Sequence, residues 1–429
     1  MLKDTICVLI RNATIYFYHF NDSALFLVHH LMKIVLPSKL PDRPSLAILV
    51  VISAIQPFAL NVLAPATPAL SRALNTDYGT IQLTLSLYLL TVAITQLIIG
   101  PVSDRVGRRP CVLIGIAAYT LGSLLGAVAP STTVLIISRM IQAAGAGTAF
   151  ALARAMVRDT STKDEAASRL GYLTMVMVIA PMLAPLIGGY IDAHYHWRAI
   201  FGLMVLFGCM SLLIAAAKMP ETNHTRETQS SVMDYVIAMP ALFTNRRFLG
   251  PALAMALTTA AFFAFIAGAP HITITVMQQT PDVYGLYFVI TAFGYMFGNF
   301  MSGRYGQRIG AEHMMSIGTS LSLLSVCLEI VIMTLGIWTP ATFFIPLSLN
   351  AIGNGFTLPS ATAAALSVNP ERAGTAAGLA GAMQLGAGAF IAFITGHAVI
   401  AWPPSLIAIM FVCVISGFVA LRWGREEKK

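Results

Sequence analysis

The feature that most restricts this chain is a series of apolar runs, each long enough to cross a bilayer. A helix needs roughly 20 apolar residues to traverse a hydrocarbon core of about 30 Å. Twelve such runs can be marked, at 46–67, 80–100, 111–129, 133–156, 169–191, 198–218, 249–270, 283–302, 313–335, 341–364, 373–396 and 405–422. None alternates apolar and polar residues with period two over ten-residue segments, as a transmembrane barrel requires. Helices are then the spanning structure that remains. Composition agrees, with 57% of residues apolar and 10% charged, against about a quarter charged in a soluble domain. The predicted fold class is an all-α integral membrane protein, with small-residue stretches such as "AGAGTAFALARA" (144–155) allowing close helix packing.

Lys and Arg order the topology. With the N-terminus inside, the cytoplasmic connections hold Arg105, Arg108, Arg109, Arg158, Arg246, Arg247, Arg304 and Arg308, and the opposite connections hold little beyond Arg72 and Arg198. This bias predicts both termini on the cytoplasmic side. It also accounts for the formal charge of +8 without a nucleic-acid patch. The five cysteines, Cys7, Cys111, Cys209, Cys327 and Cys413, have neither metal nor disulfide spacing and read as packing residues.

The longest polar connection, 219–247, divides the runs into six and six. The predicted organisation is an N-terminal extension (1–45), a first bundle (46–218), a linker (219–247), a second bundle (248–422) and a tail (423–429). Within the linker, "VMDYVIAMPALF" (232–243) reads as a short interfacial helix. The first 31 residues contain no 18-residue uncharged run and no cleavage pattern. Met32, opening "MKIVLPSKL", reads as an alternative start.

Two charged stretches repeat. "GPVSDRVGRRP" (100–110) follows the second run and "GNFMSGRYGQRIG" (298–310) the eighth, so that Gly100 aligns with Gly298, Asp104 with Ser302 and Gly107 with Gly306. Internal repeats of this kind serve many secondary transporters. Gly145-Ala146-Gly147 lies inside an apolar run and follows no strand, which excludes a nucleotide loop, and no Walker A sequence is present. Transport driven by a gradient is expected, with no cofactor or metal.

These residues resemble a known family. Gly100-x-x-x-Asp104-Arg105-x-Gly107-Arg108-Arg109 is similar to the signature loop between spans two and three of the major facilitator superfamily. "RMIQAAGAG" (139–147), with Arg139, Gln142, Gly145 and Gly147, resembles the fourth-span motif of drug:proton antiporters. "APMLAPLIGG" (180–189), with Pro181, Pro185, Gly188 and Gly189, resembles their fifth-span motif. With "RDT" (158–160) and "HWRAIF" (196–201), the pattern looks most like the bicyclomycin and chloramphenicol resistance (Bcr/CflA) branch.

The resemblance implies the major facilitator fold, twelve helices in two pseudo-symmetric six-helix bundles. It implies a monomeric, non-enzymatic exporter in the bacterial inner membrane, moving small drug-like compounds against protons, with membrane lipid as its other partner. Export of a metabolite such as a nucleoside or sugar, or a sensor that kept the fold, are the competing readings. The resemblance also implies a conformational latch. Asp104 would meet the start of span eleven, near 373–375, in the outward-facing state, a helix-terminus contact worth about 0.3–2 kcal/mol. Arg108 would pair with Asp104 and Asp159, and Gly100 and Gly107 would permit close backbone approach. Pro181 and Pro185 with Gly188 and Gly189 would kink span five and seal it against the second half.

Two charges, Arg139 and Glu329, lie deep in spans, where each needs a partner or a wet cavity. Arg139 is assigned to the substrate cavity. Glu329, on the peripheral ninth span, is first a helix-contact residue, and with Asp104 and Asp159 a candidate proton carrier. The Bcr/CflA pattern carries an acid at the end of span one, where this chain has Asn61, so that acid's role does not transfer. Phe58, Asn61, Tyr88, Arg139, Phe262, Phe265, Tyr287, Tyr295, Asn354 and Gln384 occupy inward-capable positions and form the expected cavity lining.

Overall fold

In the computed structural model, which describes residues 43–161, 163–223, 243–368 and 373–424, the apolar runs fold as long helices. The first half holds α1 (Leu46–Ala73, relaxed into a 3-10 turn at Ala64–Ala66), α2 (Tyr78–Val106), α3 (Arg108–Ala127), α4 (Thr132–Thr160), α5 (Lys163–His194) and α6 (Trp197–Lys218). The second holds α7 (Arg246–Pro270), α8 (Pro281–Ile309), α9 (Ala311–Thr334), α10 (Pro340–Ser367), α11 (Ala373–Ala401) and α12 (Ser405–Trp423). Among the described residues, 10 helices are long and apolar enough to cross a membrane. The other two, α5 and α10, have the length, 32 and 28 residues. Helix α10 carries Ser348, Asn350, Asn354 and Thr357 through its middle, whereas α5 holds an uncharged apolar stretch at 170–187 beyond its charged start. The extension up to residue 42, the interfacial segment of the linker apart from Phe243, and the tail from 425 lie outside the described residues.

Helix starts have local causes. Asp77 accepts from the Thr80 amide at 2.8 Å ahead of α2, and Thr339 and Thr342 cap each other's backbone ahead of Pro340 in α10, satisfying amides that have no partner within the helix. At its far end α7 loosens into a π-helical turn, His271–Val276.

The helices correct the register of the repeat. The turn between α2 and α3 is made by Gly107, with φ 110°, and that between α8 and α9 by Gly310, with φ 85°, conformations open to glycine and costly for other residues. Helices α2 and α8 are both 29 residues long, so the structural counterpart of Gly107 is Gly310, of Asp104 is Gln307 and of Gly100 is Gly303. The sequence alignment on Gly298, Ser302 and Gly306 is about one helical turn out of step, because matching the glycines of "GNFMSG" ignores where the helix ends. Glycine contacts hold each half together in the same way. A Cβ on Gly145 of α4 would strike the Gly115 carbonyl of α3, and one on Gly353 of α10 would strike the Gly318 carbonyl of α9, the close approach that small residues permit in membranes. Between the halves, α2 packs on α11 and α5 on α8.

Candidate functional site

At the α2–α3 turn, Arg108 lies between two carboxylates. Its Nη2 is 2.7 Å from Asp104 Oδ1, one helical turn back, and its Nε is 3.0 Å from Asp159 Oδ2 at the end of α4. The guanidinium also donates to Ser103 Oγ. One planar cation thus ties the ends of α2, α3 and α4 together, using the several fixed N–H directions that only arginine offers. The second half has no equivalent: Gln307 and Ala311 stand where Asp104 and Arg108 stand in the first.

The sequence reading missed a further member, Glu221, which it left in the linker. Three residues past α6, the Glu221 carboxylate accepts from the backbone amides of Arg108 (2.8 Å), Arg109 (3.1 Å), Thr222 (2.9 Å) and Asn223 (3.0 Å). Arg108 and Arg109 open α3, whose amides find no side-chain cap on Gly107, so Glu221 caps that helix from the end of its packed neighbour α6. Burial alone would raise the Glu221 carboxyl; the four backbone donors outweigh it and hold the carboxyl below its ordinary pKa of 4.5. Its neighbours join the network, with Thr222 Oγ1 donating to Asp159 at 3.2 Å and Asn223 Nδ2 donating to the Asp104 carbonyl at 2.8 Å. The only sequence signal was an acid in "MPETN" immediately after a span.

Gly107 is needed twice here, for its φ of 110° and because an added Cβ would lie 2.6 Å from Glu221 Oε2. Gly107→Ala is expected to destabilise the protein by about 1–3 kcal/mol, the cost of a conformation confined to glycine. Gly306→Ala, at a helical position with nothing within 4 Å of the Cβ site, is expected to leave stability unchanged or raise it slightly. Thermal unfolding of the purified variants compares the two. Gly100 corrects the expectation of close approach: its Cβ site also meets nothing within 4 Å among the described residues.

Inside the first bundle, Arg139 is 1% exposed. Its guanidinium lies 4.3 Å over the Tyr88 ring, donates to the Ala59 carbonyl of α1 at 3.1 Å and donates to Gln142 Oε1 one turn along. Gln142 passes the chain on, its Nε2 donating to Ser123 Oγ at 2.7 Å. No carboxylate is among these described partners, and the Arg139 Nε has none. Asn61, two residues beyond Ala59, is buried, its Nδ2 donating to the Pro57 carbonyl at 2.8 Å and its Oδ1 without a partner among the described residues. Arg154, also within α4, lies over Phe150 at 4.7 Å.

The other expected lining residues fall into separate groups. Phe58 packs edge-on against Phe207 of α6 at 5.7 Å. Phe265 stacks on Phe288 at 5.8 Å in an aromatic cluster that includes Phe343 and Phe344, with Tyr287 5.7 Å from Phe344. Phe262 leans on Phe263. Gln384 of α11 donates to Thr259 of α7 at 2.8 Å, and the Tyr295 carbonyl accepts from Asn299. Asn354 is buried, and its Oδ1 has no partner among the described residues. The arrangement therefore brings together Tyr88, Arg139 and Gln142, and separately Phe265 and Tyr287.

The two ends of the molecule differ. Opposite the latch loop, the halves interlock: Tyr78 of α2 donates to the Ala267 carbonyl of α7 at 2.7 Å and lies 4.8 Å from the His271 ring. Gly79 meets His397 of α11, Gly189 of α5 meets the Pro281 carbonyl, and a Cβ on Gly285 of α8 would lie 2.7 Å from the Pro185 carbonyl. The fifth-span residues are thus at the seam, Gly188 facing the Val62 carbonyl within its own half and Gly189 facing the other. At the latch end, Gly378 has only Leu97 at 4.0 Å, and Gly303, Gly381 and Gly386 have nothing within 4 Å. Among the described residues, the glycine contacts between the halves gather opposite the latch and thin out towards it. Residues 369–372, and the side chains of 373–375 that were the expected partners of Asp104, lie outside the description.

A two-fold repeated twelve-helix bundle with this loop matches one family model over nearly its whole length, the Major Facilitator Superfamily, at residues 49–280 and 272–429. The chain belongs to the Major Facilitator Superfamily. It is 31% identical over 340 residues to Multidrug resistance protein D of Escherichia coli (strain K12), covering 79% of this chain and 85% of that protein. It is 27% identical over 377 residues to a Bicyclomycin resistance protein homolog of Haemophilus influenzae, covering 86% and 93%. A crystal structure of a D-xylose-proton symporter superposes with TM-score 0.67 at 14% identity, covering 89% of this chain and 96% of that one, a likeness of fold. The chain is thus a multi-pass membrane protein of a transporter family.

Proposed function

We propose that the chain exports small hydrophobic or amphiphilic compounds, by alternating access and at the expense of the proton gradient, as a monomer in the bacterial inner membrane with both termini cytoplasmic. The observation that carries this reading is the opposition of the two ends, interlocked through Tyr78, His397 and Gly189 on one side and, among the described residues, with few glycine contacts around Gly378 and Gly381 on the other. Such a pair of ends is what a rocking-bundle transporter needs. The excess of Arg on the latch face supports a cytoplasmic placement of that face, in which the arrangement corresponds to an inward-facing state. Relatives named for multidrug and bicyclomycin resistance support drug-like cargo and, being bacterial, the inner membrane. No cofactor enters this scheme.

In the inward-facing state Asp104 is held by Arg108; in the outward-facing state it is free to meet the start of α11. Asp104→Asn is expected to weaken the outward-facing state by about 1–2 kcal/mol. Expressed in a susceptible bacterium, the wild-type chain should raise resistance to at least one amphenicol or similar amphiphile, and Asp104→Asn should remove most of the gain. No shift for any compound in a broad panel would overturn the drug-export reading in favour of a metabolite exporter or sensor.

A further inference from the structure

Glu329 stands apart from everything described so far. It is 3% exposed, its Oε1 has no hydrogen-bond partner among the described residues, and it lines a cavity of about 10 Å³. The walls are Met277, Met333, Trp338, Thr342, Phe343 and Ile407, together with neighbouring isoleucines, and none of these carries a charge. The elements packed on this part of α9 are α10, α12 and the end of the π-helical turn. Among them α10 has no charged or titratable side chain. Helix α12 has the Cys413 thiol and, at its latch end, Arg422; the π-turn has His271. None of the three lines the cavity. Nothing there balances a carboxylate, and an uncompensated buried charge is strongly disfavoured.

Size and place narrow the ligand. A cavity of about 10 Å³ accommodates about one water-sized group and falls far short of the roughly 300 Å³ of a small-molecule site. Glu329 lies five residues before the end of α9 at Thr334, about 7 Å of helix rise from the face opposite the latch. Met277, on the cavity wall, immediately follows the π-turn and donates its amide to the Ile272 carbonyl at 2.8 Å. That same turn begins at His271, whose ring meets Tyr78 of the first half across the closed end.

We infer that Glu329 is a proton-binding site entered from the face opposite the latch, and that the His271–Val276 turn carries its occupancy to the closed end of the transporter. The ligand is the proton alone: Glu329 gains it on one oxygen, no other bond changes, and the charge that must be buried when the end closes disappears. This rests on the proton-coupled export proposed above and names the carboxylate that replaces the acid missing at Asn61.

The test uses the full chain in proteoliposomes. Infrared difference spectra between mildly acid and mildly alkaline buffer should show a protonated-carboxyl band in the wild type that Glu329→Gln lacks and that Glu329→Asp restores with a shifted midpoint. Chloramphenicol accumulation driven by an imposed pH gradient should fall to unity in Glu329→Gln and recover in Glu329→Asp, with size-exclusion profiles confirming that each variant is folded. If Glu329→Gln does not fold, the wild type and Glu329→Asp titrations decide between them. Identical spectra for wild type and variants, a band that does not titrate, or undiminished gradient-driven accumulation in Glu329→Gln would each overturn the inference. Should the wild type accumulate no chloramphenicol, a compound from the susceptibility panel that it does export replaces it, and if there is none the export reading fails, while the infrared titration still decides the proton site.

Discussion

Replacing Glu221 by alanine is expected to lower the melting temperature of the purified protein by about 4–8 °C, the shift for a loss near 2 kcal/mol in a bundle of this size. The loss follows from the geometry. Two of the four amides that Glu221 accepts begin α3, where Gly107 offers no cap, and hydrogen bonds to a charged partner are worth about 1.5–3 kcal/mol together with their desolvation consequences. Glu221→Gln, which keeps one carbonyl acceptor, should lie between. The pH dependence has a definite sign. The folded carboxyl is depressed below 4.5, so its contribution is complete above that value and is lost as the pH falls through the lower folded pKa. The difference between wild type and Glu221→Ala should therefore be constant from neutral pH down to about 5 and shrink only in stronger acid. A melting temperature unaltered by Glu221→Ala would mean that the cap is dispensable.

The second large effect concerns cargo charge. With Tyr88, Gln142 and the Ala59 carbonyl as its described partners, Arg139 leaves the interior of the first bundle positive, and the chain should export neutral amphenicols better than quaternary cations. Asn61→Asp restores a carboxylate on α1, two residues from the carbonyl that Arg139 already holds. Unit charges about 8 Å apart interact by about 2 kcal/mol at an effective dielectric near 20, enough for more than tenfold discrimination. Transport of a quaternary cation relative to chloramphenicol should therefore rise more than tenfold in Asn61→Asp. A wild type that already exports the cation well, or a preference untouched by Asn61→Asp, would show that Arg139 is neutralised elsewhere.

Much of this architecture is legible along the chain because bilayer thickness imposes it: runs near twenty residues give twelve helices, and the loop after α2 carries Asp104, Arg108 and a turn glycine within a few residues of one another. What escapes is whatever depends on distant segments meeting. Glu221 is separated from Arg108 by 113 positions, and a lone acid after a helix carries no mark of its partner. The repeat register was misread because glycines such as Gly306 serve different ends from Gly107; helix length, which fixes the correspondence with Gly310, is not written in a motif. The aromatic cluster around Phe265 and the partners on which the expected interior Arg139 closes, Tyr88, Gln142 and the Ala59 carbonyl, depend on helix rotation, which residue type leaves open in a span that is apolar on every side.

The central claim is export against a gradient, and everted inner-membrane vesicles test it most directly. Vesicles from cells expressing the chain should accumulate radiolabelled chloramphenicol when respiration acidifies their interior and release it when a proton–potassium exchanger collapses the pH gradient, while vesicles bearing Asp104→Asn should accumulate little. Accumulation equal to that of vesicles without the chain, or accumulation indifferent to collapse of the pH gradient, would contradict proton-driven export.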